Sequence, residues 1–409
     1  DVGSGKTVVA ALAALRAVEA GKQVALMAPT ELLAEQHLHN FRLWLEPLEV
    51  RVAWLAGKVT GKARAAVLAE IASGVGQVVV GTHALMQEGV KFKDLALAIV
   101  DEQHRFGVHQ RLSLRDKGLD GERVPHQLVM TATPIPRTLA MSAYADLDIS
   151  VIDEMPPGRT PVTTVAITGA RRDEVVERIR VACAEGRQVY WVCTLIDDSE
   201  VEAGAGARGP GPMRIDAQAA RSTYEALTLA LPGLRVGLLH GRMRPAEKQQ
   251  VMAQFKGGQL QLLVATTVIE VGVDVANASL MVIENAERLG LAQLHQLRGR
   301  VGRGAQASSC VLMFKPPLSQ MARQRLEVMR RTTDGFVIAE KDLELRGPGE
   351  LLGTRQTGLA GFRIADLVRD ADLLPAVHRV ADQLLAESPG LAERVVDRWV
   401  GSAVRFAGA

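Results

Sequence analysis

At 409 residues the chain is longer than one hydrophobic core ordinarily spans, so two or more domains are expected. Hydrophobic residues make up 47% and charged residues 23%, enough apolar material for a sizeable core and too much for general disorder. A formal net charge of +2 excludes a protein that grips nucleic acid by bulk charge, so any such binding must come from local clusters of Arg and Lys.

The chain opens on Asp1-Val2-Gly3-Ser4, without the basic and apolar regions of a secretory leader, and no apolar run is long enough to cross a bilayer. A soluble cytoplasmic protein is expected. The absent initiator Met and a motif cut at its start point to a piece of a longer protein. That motif is Gly3-Ser4-Gly5-Lys6-Thr7, the end of a GxxxxGK[ST] phosphate loop, followed by a run of helical period over 8–18. Its glycines let backbone N–H groups turn onto phosphates, Lys6 would reach the outer phosphates and Thr7 would ligate Mg²⁺. A lone glycine-rich turn before a helix also occurs for structural reasons, so a partner motif has to decide.

Short apolar runs at 22–29, 50–57, 77–82, 95–102 and 127–133 alternate with helical stretches, the pattern of a parallel sheet flanked by helices. The fourth run ends in Asp101-Glu102-Gln103-His104, which puts an acid at the C-terminal end of a buried strand. Asp101 is the expected metal-holding acid and Glu102 the group that orients or deprotonates the attacking water. An acidic strand end capping a helix is the bland alternative, made unattractive by the phosphate loop upstream.

After the Pro-rich turn at 155–161 the rhythm resumes, with strands expected at 188–196, 236–241, 261–268, 280–285 and 309–314. Two similar α/β domains joined near residue 157 fit best. Ala, Gly, Arg and Pro dominate 203–212, which reads as a flexible loop. Gln296-Leu297-Arg298-Gly299-Arg300-Val301-Gly302-Arg303 sets guanidinium groups on a Gly-punctuated stretch, suited to stabilising phosphoryl charge from a second domain. Thr266, Thr267, Gly272 and Asp274 are expected to line the same cleft. From Pro316 the strand signals fade into a helical Arg-rich stretch, then a segment rich in Gly and charge over 334–361. Cys183, Cys193 and Cys310 are odd in number, scattered and without metal spacing, so they read as core thiols in a reducing compartment. Trp44, Trp54, Trp191 and Trp399 read as core residues and receive no role.

Taken together, the motifs resemble superfamily 2 helicases and, within them, the RecG family, over nearly the whole chain. The resemblance is also carried by Ala28-Pro29-Thr30-Glu31-Leu32-Leu33-Ala34-Glu35-Gln36-His37, Gly81-Thr82-His83-Ala84-Leu85, Thr131-Ala132-Thr133-Pro134-Ile135-Pro136-Arg137-Thr138 and His240-Gly241-Arg242-Met243. Transcription-repair coupling translocases share much of this motor, and a non-motor nucleotide-binding scaffold is a further alternative. The runs at 101–111, 156–164 and 342–358 look more like RecG.

The resemblance implies an α/β fold, two RecA-like parallel-sheet domains in tandem with a small, mainly helical C-terminal region. The expected bounds are 1–155 (a first domain truncated at its N-terminus), 156–315 (a second, with a flexible insertion near 201–216) and 316–409 (helical hairpin, translocation loop and helical tail). It implies ATP and Mg²⁺, with Lys6, Asp101, Glu102, Arg300 and Arg303 catalytic. Gly3, Ser4, Gly5, Lys6, Thr7, Gly272 and Asp274 would hold nucleotide, and Thr7 and Asp101 the metal. DNA contact and coupling fall to Thr30, Glu31, Gly81, Thr82, His83, Gln103, His104, Thr131, Thr133, Gly241, Arg242, Thr266, Thr267, Arg325, Arg346 and Gln356. The implied partners are branched and double-stranded DNA and a single-stranded-DNA-binding protein, with no membrane and a monomeric state. RecG proteins carry an upstream wedge region that recognises branched DNA, and this sequence does not include it.

Overall fold

A computed structural model of the chain describes residues 3–102, 114, 117–118, 124–131, 148–152, 154, 160–194, 212–266, 275–304, 306–346 and 369–399. The chain divides into two compact units, Gly5–Ile152 with Ala339–Ala409, and Asp153–Ile338 with Asp1–Ser4.

In the first of these units, strands β1 (Gln23–Met27), β2 (Val52–Leu55), β3 (Val78–Gly81), β4 (Leu95–Asp101) and β5 (His126–Met130) form one sheet in the order β2-β3-β1-β4-β5. All its pairings are parallel. Such strands are covered on both faces and therefore read as continuous apolar runs. Because side chains alternate, Val24, Leu26, Val78, Val80 and Ile99 pack into one core with helices α1 (Lys6–Glu19) and α2 (Glu31–Leu45). Ala25, Met27, Val79, Ala98 and Val100 face the other way, against Ile71 of α3 (Gly61–Ser73). Helix α1 buries Ala10, Ala11, Ala14 and Val18 and packs on β1 and β4. Residues 20–22 are all that separate its end from β1, so α1 runs back along the sheet and its N-terminus lies at the sheet's C-terminal end.

The second sheet contains β6 (Thr163–Thr168), β7 (Gln188–Cys193), β8 (Val236–Leu239), β9 (Leu262–Thr266), β10 (Ala278–Ile283) and β11 (Ser309–Phe314) in the order β6-β11-β10-β7-β9-β8, again all parallel. Trp191 lies fully buried at its centre, packed with Ile179 of α4 (Arg172–Ala184) and with Ala220 and Leu227 of α5 (Pro212–Ala230). Helices α6 (Pro245–Lys256), α7 (Leu291–Arg298) and α8 (Gln320–Arg331) follow. Past β11 the described elements are helical: α8, α9 (Gly335–Arg346), α10 (Leu374–Glu387) and α11 (Pro389–Trp399), with one short 3-10 turn.

Several expectations need adjusting. Strand β6 was not anticipated, because Thr163, Thr164 and Thr168 leave it without a long apolar run. The segment 201–216, expected as a loop, is helical from Pro212, where a proline at a first helical position leads into helix-forming residues; 201–211 lies outside the described residues. All three cysteines are free and buried. Burial pushes the Cys183 thiol up to about 11 and that of Cys310 to about 12, so both stay protonated and unreactive near neutral pH. Trp191 belongs to the core of the second unit and Trp44 and Trp54 pack partly buried against a core of the first, whereas Trp399 is 54% exposed and is no core residue.

Candidate nucleotide site and nucleic-acid interface

Gly5 adopts φ +98°, a left-handed conformation that side-chain-bearing residues rarely take, and the space where a Cβ would lie is open. Its carbonyl accepts the amides of Val8 (3.1 Å) and Val9 (3.4 Å), closing the first turn of α1 behind Lys6 and Thr7. The turn thus sets Lys6 and Thr7 at a helix N-terminus, where amide dipoles favour an anion, at the end of the sheet where β4 also stops.

At that end of β4 stands Asp101, 7% exposed. Its two oxygens are held differently. Oδ2 lies 2.7 Å from His37 Nε2, and Oδ1 accepts the Glu102 amide at 3.1 Å. The same amide donates to the Met130 carbonyl at 2.9 Å, tying the strand end to β5. Glu102 has φ +52°, a left-handed conformation for a residue that carries a side chain. Such a conformation costs on the order of 1–3 kcal/mol and persists only where its surroundings impose it. The imposed turn breaks the strand's alternation at the residue the sequence marks as the base.

Other expected contact residues of this unit have structural tasks. Thr30 caps α2, its hydroxyl accepting from the Leu33 amide at 3.4 Å, and Glu31 pairs with Lys58 at 2.6 Å. Thr82 is buried while His83 beside it is exposed, and Thr131 is half-buried after β5. A Cβ on Gly81 would overlap the Leu55 carbonyl oxygen of the neighbouring strand. Because that obstacle is backbone, Gly81→Ala is expected to lower stability by about 1–3 kcal/mol, read as an earlier thermal unfolding transition.

In the second unit Arg298 and Arg300 are buried, at 3% and 7% exposure, and Arg303 is half-buried. The Arg298 guanidinium donates to the carbonyls of Met329 (3.0 Å), Thr332 (2.8 Å) and Thr333 (3.3 Å) and to His295 Nδ1 (3.0 Å). Burial draws its pKa below the usual arginine value. Arg298 therefore fastens α7 to the end of α8. Arg300 and Arg303 follow at the Gly299 turn, where Arg303 Nε reaches the Gly299 carbonyl at 3.4 Å. Thr266 is buried at the end of β9. Gly241 and Arg242 are exposed, with Lys248 Nζ on the Gly241 carbonyl at 2.8 Å. Burial, together with Lys248, Arg221 and Arg242, holds His240 below the ordinary histidine pKa. On α8, Arg325 donates to the Glu287 carbonyl at 2.6 Å.

Gln103, His104, Thr133, Thr267, Gly272, Asp274 and Gln356 lie outside the described residues, as does the side chain of Arg346, whose backbone ends α9. His37 and Arg298 were quoted in motifs but given no role. His37 could have been found as a polar residue on the otherwise apolar stripe Ala34, Phe41 and Leu45, since a buried polar group needs a partner.

A phosphate-loop turn and a buried strand-end acid thus stand at the same end of one parallel sheet, and Gly-punctuated arginines follow a helix of the second. Among family models, residues 1–142 match the DEAD/DEAH box helicase family, 213–305 the helicase conserved C-terminal domain, and 332–396 the C-terminal part of domain 3 of the ATP-dependent DNA helicase RecG. The chain is 65% identical to the ATP-dependent DNA helicase RecG of Escherichia coli (strain K12) over 410 residues, covering 100% of the chain and 57% of that protein. It is 63% identical to that of Haemophilus influenzae over 403 residues, covering 98% and 56%. A solved structure of RecG bound to a three-way DNA junction matches with a TM-score of 0.70 and 45% identity, over 91% of this chain and 46% of that one. Over its whole length the chain is similar to RecG helicases, and it spans a little over half the length of these curated relatives.

Proposed function

We propose that the chain is the motor of an ATP-driven translocase on double-stranded DNA that, in the complete protein, remodels branched DNA in recombination and repair. Regression of stalled forks and branch migration of Holliday junctions are the reactions meant. The observation that carries the reading is the meeting, at one end of the first sheet, of the α1 N-terminus with the fixed Asp101 and the strained Glu102. The relatives named as RecG, and the one solved on a three-way junction, support branched DNA as the substrate. The match to RecG domain 3 favours it over a transcription-coupled translocase.

The residues present fit a magnesium nucleotide: the open glycine turn leaves room for phosphates, and the Thr7 hydroxyl and Asp101 carboxylate are hard oxygen donors. When bound, ATP and Mg²⁺ supply the phosphoanhydride and the Lewis acid. Lys6 neutralises the outer phosphates, Thr7 and Asp101 hold the metal, and Glu102 takes a proton from the attacking water. Gly3, Ser4, Gly5, Gly272 and Asp274 complete the nucleotide's surroundings, and Arg300 and Arg303 stabilise the charge that develops on the transferring phosphoryl group. Arg325, Arg346 and Gln356 couple this cycle to movement along the duplex. The reading further includes motor domains over 1–155 and 156–315 and a coupling region over 316–409. It also includes a monomeric, cytoplasmic protein and a single-stranded-DNA-binding protein as partner.

The experiment compares ATP hydrolysis by the complete gene product on linear duplex, single strands and a synthetic fork. Strongest stimulation by the fork is expected; hydrolysis indifferent to all three DNAs would end the proposal.

A further inference from the structure

Helix α2 buries Ala34, His37, Phe41 and Leu45 against the sheet, one stripe at helical spacing. Three of the four are apolar, and the fourth is an imidazole, 4% exposed, whose Nε2 meets Asp101 Oδ2 at 2.7 Å. A carboxylate only accepts, so Nε2 carries the proton of this bond. His37 Nδ1 is buried with no hydrogen-bond partner among the described residues. The polar capacity of the ring is thus spent on one acid, in a place where an apolar side chain would avoid the cost of burying an imidazole.

Asp101 ends its strand, and the residue after it turns into the left-handed region. The orientation of the Asp101 carboxyl comes from two bonds: the Glu102 amide on Oδ1 and the His37 imidazole on Oδ2. Each oxygen keeps a lone pair beyond these bonds. Groups that orient a ligating carboxylate from behind typically change metal affinity when removed, although they never touch the metal.

We infer that His37 is a positioning residue of the hydrolysis site, holding the Asp101 carboxylate in the orientation in which it takes Mg²⁺. The inference rests on the nucleotide-site reading above. It is tested in the complete gene product by measuring binding of a fluorescent ATP analogue at graded MgCl₂, in His37→Phe, His37→Gln and Asp101→Asn. Phe keeps the volume of the ring and removes the donor, whereas Gln can place an amide N–H near the position of Nε2. His37→Phe is expected to raise half-saturating Mg²⁺ by about 10-fold. His37→Gln should bring it back most of the way, and metal-free analogue binding should change little in either. A structural role alone would shift thermal unfolding in the Phe variant without moving the Mg²⁺ midpoint, and that result overturns the inference. If Asp101→Asn moves the midpoint and His37→Phe does not, His37 falls and the nucleotide site stands. If Asp101→Asn also leaves it unmoved, both fall.

Discussion

Glu102→Gln is expected to cut DNA-stimulated ATP hydrolysis by about 10³-fold while nucleotide binding persists. Gln has nearly the shape of Glu and keeps the side chain at the imposed φ of +52°, so the turn after β4 should survive. What it loses is the capacity to take a proton from water. The Glu102 amide bonds to Asp101 Oδ1 and to the Met130 carbonyl are backbone bonds and do not depend on the side chain. Steady-state phosphate release at saturating duplex, beside binding of a fluorescent nucleotide, separates the two effects. Turnover at the wild-type rate would remove Glu102 from the chemistry.

Arg298→Leu is expected to cost the second unit about 3 kcal/mol, because it strips donors from a buried place rather than a charge from the surface. The guanidinium serves three carbonyls at and just beyond the end of α8, with no carboxylate among the partners shown. Carbonyls at a helix C-terminus carry partial negative charge, which is what makes a buried cation tolerable there. Leucine matches the apolar stem and leaves those oxygens unsatisfied. For a unit of this size the loss corresponds to a fall of roughly 10 °C in unfolding temperature. Arg298→Lys should recover only part of it, since a point charge on a flexible stem cannot fork across three acceptors. An unchanged transition in the Leu variant would show that the carbonyls find other donors.

How far the molecule could be read in advance differs by element. Buried parallel strands announce themselves as apolar runs, and β1, β4, β7 and β10 lie inside or close to the expected stretches because tertiary burial and local pattern agree there. Strand β6 escaped notice because an edge strand rich in threonine looks like any β-tolerant segment until its partner is known. Lys6, Asp101 and Glu102 were singled out because phosphate and metal chemistry would call for those residue types at an element boundary, and the structure does place them at the start of α1 and the end of β4. The pairing of His37 with Asp101 was not, since 64 positions separate the two and only the packing of α2 on the sheet joins them. Thr30, Glu31 and Gly81, expected from their motifs to touch DNA, also have local tasks in capping, ion pairing and strand spacing that motif recognition alone did not show.

The pairing of β6 with β11 bears on how the polypeptide is made. Thr163 to Thr168 are the first strand of their sheet to leave the ribosome, yet the strand they hydrogen-bond, Ser309 to Phe314, is the last of that sheet to be synthesised. Until then β6 has no neighbour, and an unpaired strand on a nascent chain is an opening for misassembly. Messages truncated between these two points should therefore yield insoluble product, and slow decoding just before the final strand should be more harmful than the same delay after it.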